Sequence, residues 1–142
     1  MEPAFWDSSS VVPLCTTQSS TPVAKTLSQQ YGMYVWWAAP VEIHGAFARL
    51  ARMGLLTPNG QVQALAVLDK IRSKWREILP SIEIRDRAEQ LLDRFALRSA
   101  HALQLAAALA WASGKPTTRT FISGDAQLLD AARQLGFKVV KA

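Results

Sequence analysis

Three carboxylates and a histidine are the residues of this chain whose types and placement suggest chemistry. Asp7 follows the short apolar run Ala4-Phe5-Trp6, Asp125 lies just past Phe121-Ile122-Ser123, and Glu42 stands behind Pro40 in what reads as a first helical turn. Carboxylates brought to neighbouring positions repel one another unless a cation joins them. An all-oxygen ligand set suits magnesium or manganese, ions that also bridge phosphate and water. Each acid has an ordinary explanation too: Asp7 and Asp125 as caps, Glu42 as a favourable charge at a helix N-terminus. Gly45 and Ala46 share the helical face of Glu42, which leaves space above its carboxylate. His101 and Gln104 form a polar pair at a spacing of three inside an apolar helix, and buried polar groups need partners.

Other chemistries lack their residues. There is no glycine-rich nucleotide loop and no Gly-x-Ser-x-Gly elbow, and His44 and His101 do not stand at a zinc spacing. A single cysteine, Cys15, excludes an internal disulfide and a cysteine-rich zinc site, and a buried or inert thiol is the expectation for it. The net charge of +5 favours a polyanionic partner, nucleic acid or an acidic protein segment, over the alternative that the excess base serves solubility alone. Arg98 is the basic residue best placed for a phosphate or carboxylate, because a guanidinium can bind either through two hydrogen bonds. Arg94, four residues earlier, is expected beside it on the approach to His101. Lys70, Arg72, Lys74 and Arg76 read as a solvated helix face.

The elements that must position these residues follow from apolar periodicity. Ala4 to Trp6 reads as a buried strand ending in a turn of hydroxyl residues, in which Ser8 or Ser9 orients the Asp7 carboxylate. Thr21, as N-cap, and Pro22 begin a helix to Tyr31, closed by Gly32, and Met33 to Trp37 is a second strand. The next helix places Ile43, Phe47, Leu50 and Met53 toward the core. A turn at Thr57-Pro58-Asn59-Gly60 leads to a helix ending near Trp75, with Leu65, Leu68, Ile71 and Trp75 inward. Glu77 to Leu79 is a short strand, and Ala88, Leu91, Leu92 and Phe95 mark an amphipathic helix. Ser99 to Ser113 is apolar on nearly every face and reads as a helix buried on several sides. Its core is about half the ~20 residues that a membrane span needs. Arg119 to Ser123 is a strand, Ala126 to Leu135 a helix capped by Gly136, and Phe137 to Val140 a last strand. Alternating strands and helices predict an α/β fold with a mainly parallel central sheet and helices on both faces. In such sheets the ligand crevice lies outside the carboxyl ends of the strands. The 142 residues suit one domain spanning 1–142, and the N-terminal MEPAFWDSSS lacks the pattern of a secretory signal, so a cytoplasmic protein is expected.

Four segments, in order, resemble one family. Phe5-Trp6-Asp7-Ser8-Ser9 is similar to the opening of PIN domains, where an aspartate ends the first strand and hydroxyl residues follow. Val41-Glu42 resembles the family's glutamate at the start of a helix. Leu97 to Ala106 resembles its most recognisable stretch, Leu-Arg-x-x-Asp-Ala-Leu-x-Leu-Ala, and Phe121 to Asp125 its fourth-acid segment, followed by the closing helix. The resemblance implies a PIN-like three-layer sandwich and a metal-dependent endoribonuclease similar to VapC toxins of type II toxin–antitoxin systems. It implies a magnesium or manganese site on Asp7, Glu42 and Asp125, contacts to substrate or partner from Arg98, Ser8 and Ser9, an RNA substrate, a homodimer, and an antitoxin that covers the acidic groove.

One position departs from the family. Its third acid falls on His101, a neutral nitrogen ligand where the pattern has a hard anionic oxygen, so bound magnesium should weaken. Three readings of His101 stand side by side. It is a substitution that disarms a nuclease toxic to its own cell, or a natural residue with altered metal preference, or a satisfied polar residue on a buried helix. With the site broken, the same fold would serve as a non-catalytic binder of RNA or of an antitoxin.

Overall fold

The computed structural model describes residues 1–142. The strands are β1 (Glu2–Trp6), β2 (Tyr31–Trp36), β3 (Arg76–Ile78), β4 (Thr120–Ser123) and β5 (Lys138–Lys141). The helices are α1 (Ser8–Cys15), α2 (Thr21–Gln30), α3 (Ala39–Arg52), α4 (Pro58–Arg72), α5 (Ile82–Arg94), α6 (Ser99–Trp111) and α7 (Ala126–Gln134), with a short 3-10 turn at Pro116–Thr118. The strands form one sheet in the order β3-β2-β1-β4-β5, and every neighbouring pair is parallel.

Alternation along each strand divides the core into two layers. Ala4, Trp6, Val35 and Ile122 face α1 to α4, where Val11, Ile43, Phe47 and Leu68 complete one cluster. Phe5, Trp36 and Phe121 face α5 to α7, where Leu91, Leu105, Leu109 and Leu128 complete the other. Phe5 stacks on Phe121 at 5.6 Å between ring centroids. The switch of helix layer follows from crossover handedness. The chain runs outward from β1 to β3, then jumps back to β4 on the far side of β1, and a right-handed crossover in the reverse direction places its helices on the opposite face. The strand order therefore reverses between β1 and β4, the position at which open α/β sheets form a ligand crevice.

Several local expectations are corrected. The serines after Asp7 are not a turn but open α1. Serine and an internal Pro13 are poor helix formers, yet burial of Val11, Val12 and Pro13 decides the outcome. Thr21 is the first residue of α2 rather than its N-cap, which is Ser20; its hydroxyl donates back to the Pro13 and Thr16 carbonyls and so ties α2 to the end of α1. Gly32 lies within β2 instead of closing the helix, and its carbonyl accepts the indole N–H of Trp6. Thr57 to Gly60 is the N-terminus of α4: the Thr57 hydroxyl accepts from the Gly60 N–H at 3.0 Å, with Pro58 in the first turn. Trp75 is buried but lies beyond the end of α4, and Met53, at the end of α3, is 68% exposed because the core stops at Phe47 and the half-buried Leu50. Leu79 and Leu92 are also exposed.

Gly136 ends α7 as expected. Its φ of 105° allows the Gly136 N–H to reach the Arg133 carbonyl and the Phe137 N–H to reach that of Ala132, a Schellman closure that seats Phe137 in the core. Cys15 is half-buried, and burial pushes its thiol up to about 12, so it stays protonated at neutral pH. No helix is long and apolar enough to cross a membrane.

Candidate functional site

A groove of about 610 Å³ opens over the carboxyl ends of β1 and β4, and Asp7, Glu42, His101 and Asp125 all line it. Ser8, Ser9 and Arg98 line it as well, whereas Gln104 and Arg94 do not. Arg49 and Gln127 complete its polar lining. The open space above Glu42 is present: a Cβ added at Gly45 would meet nothing within 4 Å.

Asp7 is only 2% exposed at the end of β1. Its Oδ2 accepts hydrogen bonds from the hydroxyls of Ser9 and, at 2.9 Å, Ser123. These hydroxyls are themselves fixed by the turn after β4, because the Gly124 N–H donates to Ser9 Oγ and the Asp125 N–H to Ser123 Oγ, both at 3.0 Å. Oδ1 keeps no side-chain partner. Asp7 occupies the N-cap position of α1, where the backbone N–H of Ser9 also favours its charged form. Burial pushes its carboxyl above the ordinary carboxylate range, while Ser9, Ser123 and the charge of His101 oppose that shift.

Glu42, half-buried in the first turn of α3, is held by side chains alone. Its Oε1 accepts from Ser8 Oγ and from Gln104 Nε2, each at 2.6 Å, and Oε2 is left without a partner. Ser8 and Ser9 thus orient different carboxylates, a division invisible while the segment is read as a turn. Asp125 does cap its helix: Oδ1 accepts from the Leu128 N–H at 2.8 Å, leaving Oδ2 free.

The basic residues of the groove are unengaged. The chain's salt bridge, between Arg133 and Asp130, lies on the exposed side of α7, so neither Arg49, Arg98 nor His101 has a carboxylate oxygen within ion-pairing distance. Arg94 does not join them and lies over the Phe95 ring at 4.9 Å.

Each acid therefore offers one oxygen fixed by the protein and one that is not, a donor set suited to a hard cation. No three His, Cys, Asp or Glu side chains come together tightly enough to enclose an ion directly. Such a set fits an ion that takes one or two carboxylates and keeps several waters, as magnesium does, better than zinc, which is held by four direct ligands in structural sites. Sequence reasoning missed Ser123 and the partner of Gln104. The polar Gln104 inside an apolar helix was the signal for the second; nothing local marked the first.

No protein-family model matches the sequence, and no curated protein matches it. Solved structures do. The fold is similar to a chain of VapBC2 from Rickettsia felis, crystallised bound to a DNA fragment from their promoter, with a TM-score of 0.65, 11% identity and 98% of each chain covered. It is also similar to PAE2754 from Pyrobaculum aerophilum, with a TM-score of 0.66, 16% identity, and 99% of this chain and 84% of that chain covered. At such identities the likeness is one of fold, and the fold is the expected PIN-like three-layer sandwich.

Proposed function

We propose that the chain is a VapC-like PIN protein whose groove is the site of a metal-dependent endoribonuclease, weakened at His101. The observation that carries this reading is the meeting of Asp7, Glu42 and Asp125, each with one unengaged oxygen, in a groove flanked by two unpaired arginines. Asp7 Oδ1, Glu42 Oε2 and Asp125 Oδ2 are the atoms that would hold magnesium or manganese, one or two of them directly and the rest through the ion's waters. When bound, such an ion supplies an activated water and charge neutralisation at the leaving oxygen of a phosphodiester. Arg98 and Arg49 bind and orient the phosphate, since a guanidinium matches its geometry with two hydrogen bonds. Ser9 and Ser123 keep Asp7 fixed while the substrate enters. His101 brings an imidazole where the family's pattern has a carboxylate, removing one negative charge and one oxygen ligand.

An antitoxin protein is the proposed partner, on the likeness to the DNA-bound VapBC2 structure. A homodimer in the cytoplasm, with RNA as substrate, belongs to the same reading. RNA cleavage by the chain and by His101→Asp, each with magnesium and with manganese, tests it. Expected is little cleavage by the chain itself and roughly 100-fold more by the variant, the upper end of what a residue supporting a metal site is worth. Equal, robust cleavage by both would make His101 a natural ligand or a bystander, and no cleavage by either would end the nuclease reading. The position of His101 also favours a second reading, a non-catalytic PIN-fold protein that binds RNA or antitoxin through the same groove. That protein would bind in chelator as well as His101→Asp does.

A further inference from the structure

Gln104 is 1% exposed in the middle of α6, where every residue from Gln104 to Leu109 is buried. Its Nε2 donates to Glu42 Oε1 at 2.6 Å and to Ser8 Oγ at 2.8 Å, and Ser8 Oγ donates in turn to the same Glu42 oxygen. The three side chains close a ring with one consistent assignment of protons. Turning the amide over would set its carbonyl oxygen against a carboxylate, two acceptors at hydrogen-bond distance. In the orientation that works, both amide protons are used, and Gln104 Oε1 is enclosed with no donor.

That orphaned carbonyl argues against a packing role. A buried acceptor without a donor is unfavourable, and an apolar side chain of equal volume on this apolar helix would avoid it. What an apolar residue cannot do is hold Glu42. The only other side chain donating to this carboxylate is Ser8, and no backbone N–H reaches it. We propose that Gln104 is a positioning residue, which through Glu42 Oε1 fixes the free Oε2 toward the groove and so sets the affinity for a divalent cation. The inference rests on the metal-site reading above and adds to it a residue outside the groove lining. His101 lies one turn earlier on the same face of α6, so one helix carries both the groove histidine and the clamp on Glu42.

The test is manganese binding, followed by calorimetric titration, in a double-mutant cycle of Gln104→Met and Glu42→Ala, run in the chain itself and in His101→Asp. Methionine keeps the volume and removes both donors. Expected is a cation affinity about tenfold weaker in Gln104→Met, the lower end of the effect of removing a residue that orients a ligand, with a Tm within a few degrees of the parent. In the Glu42→Ala background the same substitution should change nothing. An equal loss in both backgrounds, or unchanged affinity in Gln104→Met, overturns the proposal. So does failure of both Gln104→Met and Gln104→Leu to fold, which would make the residue structural. Absence of manganese binding in the chain and in His101→Asp alike would remove the metal site itself, and the proposal with it.

Discussion

Asp7 and Glu42 are both carboxylates held through one oxygen by two side-chain donors, yet the donors differ in kind. Those of Asp7 are hydroxyls that backbone N–H groups of the β4–α7 turn hold in place, and the acid is almost wholly buried. Those of Glu42 are side chains held only by one another, one of them with an unsatisfied carbonyl, and the acid is half-buried. Arg49, Arg98 and His101 line the groove between these acids without ion pairs. One wall of the groove is thus fixed by the fold and carries the cost of burying charge. The other is held by side chains alone, and the unpaired cations of the groove remain free to meet a ligand. A preorganised acid beside adaptable binding groups is the division expected where a fixed reaction centre must accept a flexible polyanion.

Three measurements sharpen or break this contrast. The largest effect belongs to Ser123→Ala, which deprives a buried carboxylate of a hydrogen bond and should cost about 2 kcal/mol in urea unfolding. Ser8→Ala, on the other wall, should cost about half as much because Glu42 reaches solvent; equal losses would erase the difference between the walls. A smaller effect of opposite sign is expected for Asp7→Asn. Burial raises the folded carboxyl above its unfolded value of 3.8, so the stability given by its neutral form is complete below that value and lost as pH rises through the folded one. The variant should therefore melt a few degrees above the parent at pH 7 and alongside it near pH 3. A parent more stable than the variant at pH 7, without metal, would mean that Asp7 is held as a comfortable anion. The smallest effect is that of Arg98→Ala, which should leave the Tm unchanged and lower the salt dependence of RNA binding by about one counterion. A change in Tm would show that Arg98 is engaged in the fold.

Much of the frame was legible because it depends on local pattern. The runs Ala4 to Trp6 and Phe121 to Ser123 are fully apolar up to their last residue, as central strands buried on both faces must be, and α6 is apolar on nearly every face. Asp125 read as a cap and is one, while it also keeps an oxygen for the groove. Helix α1 was hidden because its own sequence argues against it, with three serines and Pro13, and only packing under α3 and α4 settles its conformation. The clamps on the acids were hidden for a different reason. Gln104 and Glu42 are 62 residues apart, and Ser123 and Asp7 are 116 apart, separations that no local pattern encodes.

The place of β4 beside β1 also has a consequence in time. As the chain leaves the ribosome, β1, α1 and β2 emerge together, but Ser123 follows Asp7 by 116 residues. At about 5–20 residues per second the delay is on the order of ten seconds. Throughout it Asp7 has neither its Ser123 donor nor the turn that fixes Ser9, and Asp125 has not yet been made. The groove can close only after nearly the whole chain has been synthesised, so a truncated or stalled product holds the first acid without the site.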